Sequence, residues 1–378
     1  MTLPLGPKAY SASFVEHFAL LEDPRRTTKG NLIYPLAEIL FLVMSSVLCG
    51  HSDYICIEDF GKQNLAWLRR YFPYINGTCS HDVIGKLFQK IDYDCFSMCF
   101  TNWARQTYGL TEAELISIDG KRIRGSYNTA DNKLATHIVS AYLSASNIAI
   151  GQVATEEKSN EITAIPELLD KIDIQGAIVS IDAMGCQKQI AEKIISKKAD
   201  YLLAVKDNQK DLHSQIKQMF SLNLPTTSHT STSFGHGRTE KRTATMLTDL
   251  SMMSQKEEWK NVSSVLKIET ERYIKSSKET TKETRHYICS TAVYNACQMN
   301  DFVRGHWAIE NKLHWHLDVN FGEDASRKRV GNAAKNFNLI SKTALAVLLR
   351  DKENKISIKR KKQKACYDYD YREFLMKV

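Results

Sequence analysis

The chain has 378 residues, 43% hydrophobic and 25% charged, which excludes a disordered or collagen-like polymer and fits two or three folded domains or one interrupted core. Its 51 basic residues against 43 acidic ones leave a formal charge of +8, a mild excess that allows a nucleic-acid partner without requiring one. Nine scattered cysteines with no CxxC pair exclude a zinc ribbon or disulfide framework and fit reduced thiols in a cytoplasmic protein.

The opening MTLPLGPKAYSASF carries no signal-peptide pattern. The longest apolar run, LAEILFLVMSSVLCG (36–50), contains Glu38 and is too short for a membrane span, so it predicts a buried helix and no membrane partner. Residues 14–108 show apolar spacings of three and four, with Pro24 and Pro35 at breaks and Ser80 as the N-cap of SHDVIGKLFQKID. From 113 the period changes: ELISIDG, THIVSAYL and NIAIGQVAT read as strands, the last two joined by a turn at Ser146–Asn147. NEITAIPELLDKI (160–172) predicts an amphipathic helix with Pro166 kinking it or in an early turn, and Glu157 and Glu161 around KSN read as surface acids. A strand at 176–183, a helix in CQKQIAEKIISKKA and a strand at 200–206 complete the order β-β-β-α-β-α-β. Hairpins make the first three strands antiparallel, and helical crossovers make the later ones parallel. Residues 207–300 are Ser/Thr-rich with strands in RTATMLT, SSVLKIETERYI and TRHYICSTAV, and predict a β-rich insertion. Helix returns at 301–318 and again at 332–350, before RDKENKISIKRKKQK (350–364), whose eight basic residues against two acids suit a phosphate-binding or solvated tail.

The tripeptide SID occurs twice, each time ending a short apolar strand, with Asp119 and Asp182 as the acids. Each Asp alone reads equally as a strand-end turn former. Adjacent parallel strands lie about 4.8 Å apart, and two carboxylates at that spacing repel unless a proton or a cation intervenes. Two Mg²⁺ ions with oxygen ligands suit such a pair and can drive in-line phosphoryl transfer. A third acid is expected from a helix beside the sheet, and Glu310 in RGHWAIENKLHWHLD (304–318) is the candidate. His306, Glu310, His314 and Asp318 are four residues apart and form one helical stripe, which also raises a zinc reading. Three i+4 ligands would span about 12 Å, too far for all three to share one ion, though two of them could with outside help. Trp307 and Trp315 read as packing rather than as stacking platforms.

Basic and polar groups near these acids read as phosphate contacts or as solvated surface. Lys121, Arg122 and Arg124 follow the first Asp; Lys206 and Asn208–Gln209 close the last core strand; His236, Arg238 and Arg242 belong to HGRTEKR.

The segments SIDGKRIRGS, EKSNEITAIPELL, SIDAMGCQKQIA, DYLLAVKDNQ, HGRTEKR and RGHWAIENKLHWHLDVNFGEDASR, in this order, resemble the insertion-sequence transposases of the H-repeat-associated group, over roughly residues 14–350. These are DDE transposases with a ribonuclease-H-like core. The resemblance implies an α/β fold, a ribonuclease-H-like mixed sheet with flanking helices, interrupted by a β-rich insertion and preceded by a small all-helical region. It divides the chain into a DNA-binding helical region at 1–110, core at 111–206, insertion at 207–300, core with the catalytic helix at 301–350 and a basic tail at 351–378. It implies Asp119, Asp182 and Glu310 as the catalytic, metal-binding triad, 63 and 128 residues apart. Two Mg²⁺ ions, with Mn²⁺ able to substitute, are the implied cofactors. The implied partners are double-stranded DNA, as terminal inverted repeats and target, within a homodimer or larger assembly at the nucleoid. The reaction would be hydrolysis at the element ends, then attack of the freed 3′-OH on target DNA. Related transposases place Tyr, Arg and Lys around the glutamate where this chain has Val303, His306 and Leu317, so Arg304, His306 and His314 are the candidate replacements for phosphate contact. A stand-alone metal-dependent nuclease and an inactive DNA-binding relic remain as alternatives.

Overall fold

A computed structural model describes residues 17–18, 21–25, 32–108, 114–127, 134–155, 161–222, 224–235 and 237–376. The N-terminal region is helical: α1 (Leu36–Leu48), α2 (Tyr54–Gln63), α3 (Leu65–Leu68), α4 (His81–Lys90) and α5 (Tyr93–Tyr108). The apolar run at 36–50 is indeed a buried helix, and the acid within it has a structural use. Glu38 Oε1 accepts the Tyr74 N–H at 2.8 Å, while the Tyr74 hydroxyl donates to the Glu38 carbonyl at 2.7 Å. Ser80 occupies the N-cap of α4 but makes no side-chain cap; Glu58 Oε2 accepts the first N–H of that helix, from His81, at 2.7 Å instead.

The core follows as β1 (Leu115–Arg122), β2 (His137–Leu143), β3 (Ile148–Thr155), α6 (Glu161–Lys171), β4 (Ile178–Ile181), α7 (Lys188–Ser196) and β5 (Asp200–Val205). This is the expected order. Strands β1, β2 and β3 pair antiparallel, and β4 and β5 run parallel to β1, giving β3-β2-β1-β4-β5, the ribonuclease-H-like arrangement. Asn147 takes φ +57° in the β2–β3 turn, a conformation Asn tolerates. Pro166 lies inside α6.

The insertion does not form a separate sheet. After α8 (Lys210–Leu222) come β6 (Thr227–Gly235), β7 (Arg238–Leu247), β8 (Ser264–Ile274) and β9 (Glu279–Cys289), and β9 pairs antiparallel with β5. One nine-stranded sheet therefore runs β3-β2-β1-β4-β5-β9-β8-β7-β6. Strand β6, in TSHTSTSFG, escapes the sequence reading because no residue of it is buried on either face, so no apolar alternation marks it.

Helix α9 (Ala296–His306), a π-helical turn (Ile309–His314) and α10 (Trp315–Phe321) then cross beside the sheet, ending at Gly322 with φ +64°. Helix α11 (Ala333–Arg350) packs between β3 and the N-terminal helices α1, α4 and α5. Its Asn336 donates to the carbonyls of Phe88 (2.9 Å) and Ile91 (3.0 Å), which fastens the N-terminal helices to the core.

The C-terminal basic run is not a free tail. It folds as α12 (Ile358–Tyr367) and α13 (Tyr369–Met376). Lys361 is buried and donates to the Leu348 carbonyl at 3.0 Å. Arg372 is fully buried, its guanidinium 4.7 Å from the Trp67 ring centroid and 5.0 Å from that of Phe60. The apolar stems and planar cation of these residues pack as core, which a charge count cannot anticipate. No helix among the described residues is long and apolar enough to cross a membrane.

Candidate active site

The parallel register of β1 and β4 pairs Ile118 with Ile181, so the next residues stand side by side: Asp119 within β1, and Asp182 directly after the end of β4. The serines of the two SID tripeptides lie one step earlier on the same strand faces as the acids, and they form a docking seam. Ser180 Oγ stands 3.4 Å from Ser117 Oγ and 2.9 Å from His306 Nδ1, while Ser144 Oγ donates to the Gly305 carbonyl at 3.0 Å. Gly305 lets α9 approach: a Cβ there would lie 2.5 Å from Leu115 Cδ2.

Three residues of the four-residue stripe, His306, His314 and Asp318, make the sheet-facing seam of the helix, while Glu310 is exposed at the cleft. His306 meets Ser180 on β4. Glu310 enters the cleft with Asp119 and Asp182. His314 places Nδ1 3.5 Å from Asp119 Oδ2. Asp318 binds Lys121 on β1. The π turn at Ile309–His314, an i→i+5 departure from α geometry, carries the glutamate.

Asp119, its side chain 18% exposed, accepts the Gly120 N–H at 2.9 Å. Burial pushes its carboxyl up to about 7, with neighbouring Glu161, Asp182 and Glu310 adding and the Gly120 N–H opposing. Asp182 accepts the Met184 N–H at 3.0 Å; burial and then Glu161 raise its carboxyl, and Lys206 pulls the other way. Hydrogen bonds from Asn208 Nδ2 to the Ala183 carbonyl (2.6 Å) and from Gln209 Nε2 to the Cys186 carbonyl (3.0 Å) hold the loop after Asp182. These two amides are therefore braces rather than DNA contacts.

A family model described as "Transposase DDE domain" matches residues 110–349, and one described as "DDE_Tnp_1-associated" matches residues 15–104. The chain belongs to the DDE transposase family. YncI of Escherichia coli O157:H7, a transposase by designation, is 39% identical over 366 residues, covering 96% of this chain and 93% of its own. YhhI of Escherichia coli K12, designated an H repeat-associated transposase, is 38% identical over 364 residues, 94% of this chain and 96% of its own. The group read from the six motifs is thereby the right one. A piggyBac transposase in a synaptic complex with hairpin DNA aligns at a TM-score of 0.44 and 11% identity over 98% of this chain and 81% of that one, too distant to bear on chemistry here.

In this DDE-family chain the three acids line an open cleft with about 210 Å³ of water-sized space. Lys206, Arg285 and Trp307 line the same cleft. Among the described residues no three His, Cys, Asp or Glu side chains stand close enough to hold a metal ion as they are. The donors nevertheless fit one: they are hard carboxylates, and burial, with the neighbouring charge of Glu161, raises the carboxyls of both Asp119 and Asp182, a cost that a divalent cation would relieve. The zinc reading of the histidines finds no support. His306 and His314 face Ser180 and Asp119 rather than a common point.

The candidate phosphate contacts divide. Arg122, Arg124, Lys206, Arg238 and Arg304 are exposed, Lys206 at the cleft itself. Arg124 also lies 3.6 Å from Asp324. Arg242 is largely covered, 11% exposed, and close enough to Arg304 and Arg285 to feel their charges. His236 lies outside the described residues. Lys121 is not available to phosphate as it stands: it is 13% exposed and paired with Asp318 and with Glu323 (2.8 Å). His306 and His314 are turned inward, onto the strands.

Two residues of the site escape the sequence reading. Arg285 on β9 stands with its guanidinium 4.4 Å from the Trp307 ring centroid, so Trp307 is a cleft wall as well as packing. Glu161, read from sequence as a surface acid, is 15% exposed at the start of α6 and 2.9 Å from His137 Nε2. The only available signal was its place at the N-terminus of the helix after three hairpin strands, which chain order alone could not aim at Asp119.

Proposed function

We propose that the chain is a DNA transposase that hydrolyses a phosphodiester at the ends of a mobile element and joins the freed 3′-OH to target DNA. The observation that carries this is the matched register of Asp119 on β1 and Asp182 just after the adjacent parallel β4, with Glu310 in the same cleft. Asp119, Asp182 and Glu310 would hold two Mg²⁺ ions, for which Mn²⁺ substitutes. Bound there, the metal supplies activation of the attacking oxygen and stabilisation of the leaving one. The chain's own residues do the rest. The Ser180–His306 seam orients the helix that bears Glu310, and Lys206 and Arg285 offer cations for a DNA strand in the same cleft. No covalent protein intermediate is required.

The substrates in this reading are terminal inverted repeats and target duplex, bound by a dimer or larger assembly at the nucleoid. The test is direct. Purified protein with Mg²⁺ nicks and joins DNA bearing its own terminal repeats, and Asp119→Ala, Asp182→Ala and Glu310→Gln each abolish both steps while leaving DNA binding. Cutting without joining would instead indicate a nuclease. Full activity of Glu310→Gln would remove the third ligand from this assignment.

A further inference from the structure

We propose that Glu161 is a fourth carboxylate of this site, held by His137 and admitted by Gly120, and that it binds the same divalent ions as Asp119, Asp182 and Glu310. This rests on the reading of the site as a metal centre and adds a residue that the triad does not contain.

The first argument is steric. A Cβ on Gly120 would lie 2.2 Å from Glu161 Oε1 and 2.3 Å from His137 Nε2. Gly120 is not among the residues with positive φ, so what the glycine supplies is space and not backbone conformation, and any side chain there would displace the Glu161–His137 pair. The residue directly after Asp119 thus lacks a side chain so that a carboxylate and an imidazole can occupy that volume. Such close approach has no purpose for a surface acid.

The second argument is placement. Glu161 opens α6 and is largely covered, with Oε1 2.9 Å from His137 Nε2. His137 sits on β2 opposite Arg122 of β1, at the same strand end as Asp119. A carboxylate anchored by an imidazole is an oriented ligand, the arrangement by which outer partners aim metal-binding groups.

The third argument is charge. Two divalent ions carry four positive charges and the triad only three negative ones, so a fourth carboxylate makes a partly buried centre neutral before DNA arrives.

The experiment is Mn²⁺ binding to the full chain by titration calorimetry, without DNA and without turnover. Glu161→Gln is expected to weaken Mn²⁺ by at least about tenfold, and His137→Gln by about tenfold, the usual scale for such partners, with metal-free Tm and far-UV circular dichroism retained. Asp119→Asn is the control for the site itself. Wild-type affinity in Glu161→Gln, with affinity lost in Asp119→Asn, overturns the fourth carboxylate and leaves the triad standing. Wild-type affinity in both overturns the metal centre and this inference with it. Should Glu161→Gln lower the metal-free Tm, Glu161→Asp decides: it keeps the charge but shortens its reach, and unchanged affinity there overturns the proposal.

Discussion

Ser180 Oγ and His306 Nδ1 stand 2.9 Å apart and join the strand that carries Asp182 to the helix that carries Glu310. Burial holds this histidine neutral at physiological pH, so the link is a hydrogen bond between uncharged groups. Ser180→Ala leaves His306 Nδ1 without this partner, at a cost of about 1–3 kcal/mol. The expected result is a lower denaturation midpoint together with slower strand cleavage, because the helix loses its register on β4. An unchanged midpoint would show that the seam does not hold the helix.

Lys121 is where the expectation from sequence and the observed packing part most sharply. Its ammonium is enclosed by Asp318 and Glu323, of which Glu323 is 7% exposed. Lys121→Met strands these acids and is expected to destabilise the protein by about 3–5 kcal/mol, the scale for removing one partner of a buried pair. A phosphate contact would behave differently, lowering DNA affinity and its salt dependence at constant Tm. Thermal denaturation beside a DNA titration separates the two.

Arg285 should carry DNA affinity rather than stability. It is 28% exposed, bonded to Glu283 at 2.7 and 3.1 Å, and held over Trp307 at the cleft wall. Arg285→Ala is expected to weaken DNA binding uniformly across sequences and to reduce the salt slope by about 1. A slope equal to that of the unmodified protein would remove Arg285 from the interface.

Lys342 makes the fold's stability depend on pH. It is buried in α11, bonded to Ser140 Oγ at 2.7 Å and to Gln152, and burial pushes it down to about 7. Between that value and the ordinary lysine range, near 10.4, the unfolded chain binds the proton and the folded chain does not. Stability from this group therefore rises with pH across that window. Lys342→Met is expected to flatten the difference in unfolding free energy between about pH 6 and about pH 9. A difference as steep as in the unmodified protein would assign it to other groups.

The two SID strands were legible because apolar runs that end in an acid identify themselves, and crossover helices settle their direction. Glu310 was legible by its spacing and by the family resemblance. The fate of the surrounding charges was not. Lys121, Lys361 and Arg372 look like phosphate-seeking surface in a linear reading, yet each is buried against carboxylates, carbonyls or rings contributed by distant residues.

The sequence by itself determined the order of the core elements along the chain, the identity of the family and the candidate triad, since local periodicity and motif order depend on neighbours along the chain. Only the tertiary structure decided that β9 pairs with β5 and makes the insertion part of the core sheet. It also decided that His306, His314 and Asp318 make a seam, and that Glu161 stands beside Gly120. The physical reason is common to all three: each depends on which side chain fills space left by another, and that space exists only once the strands and helices have packed.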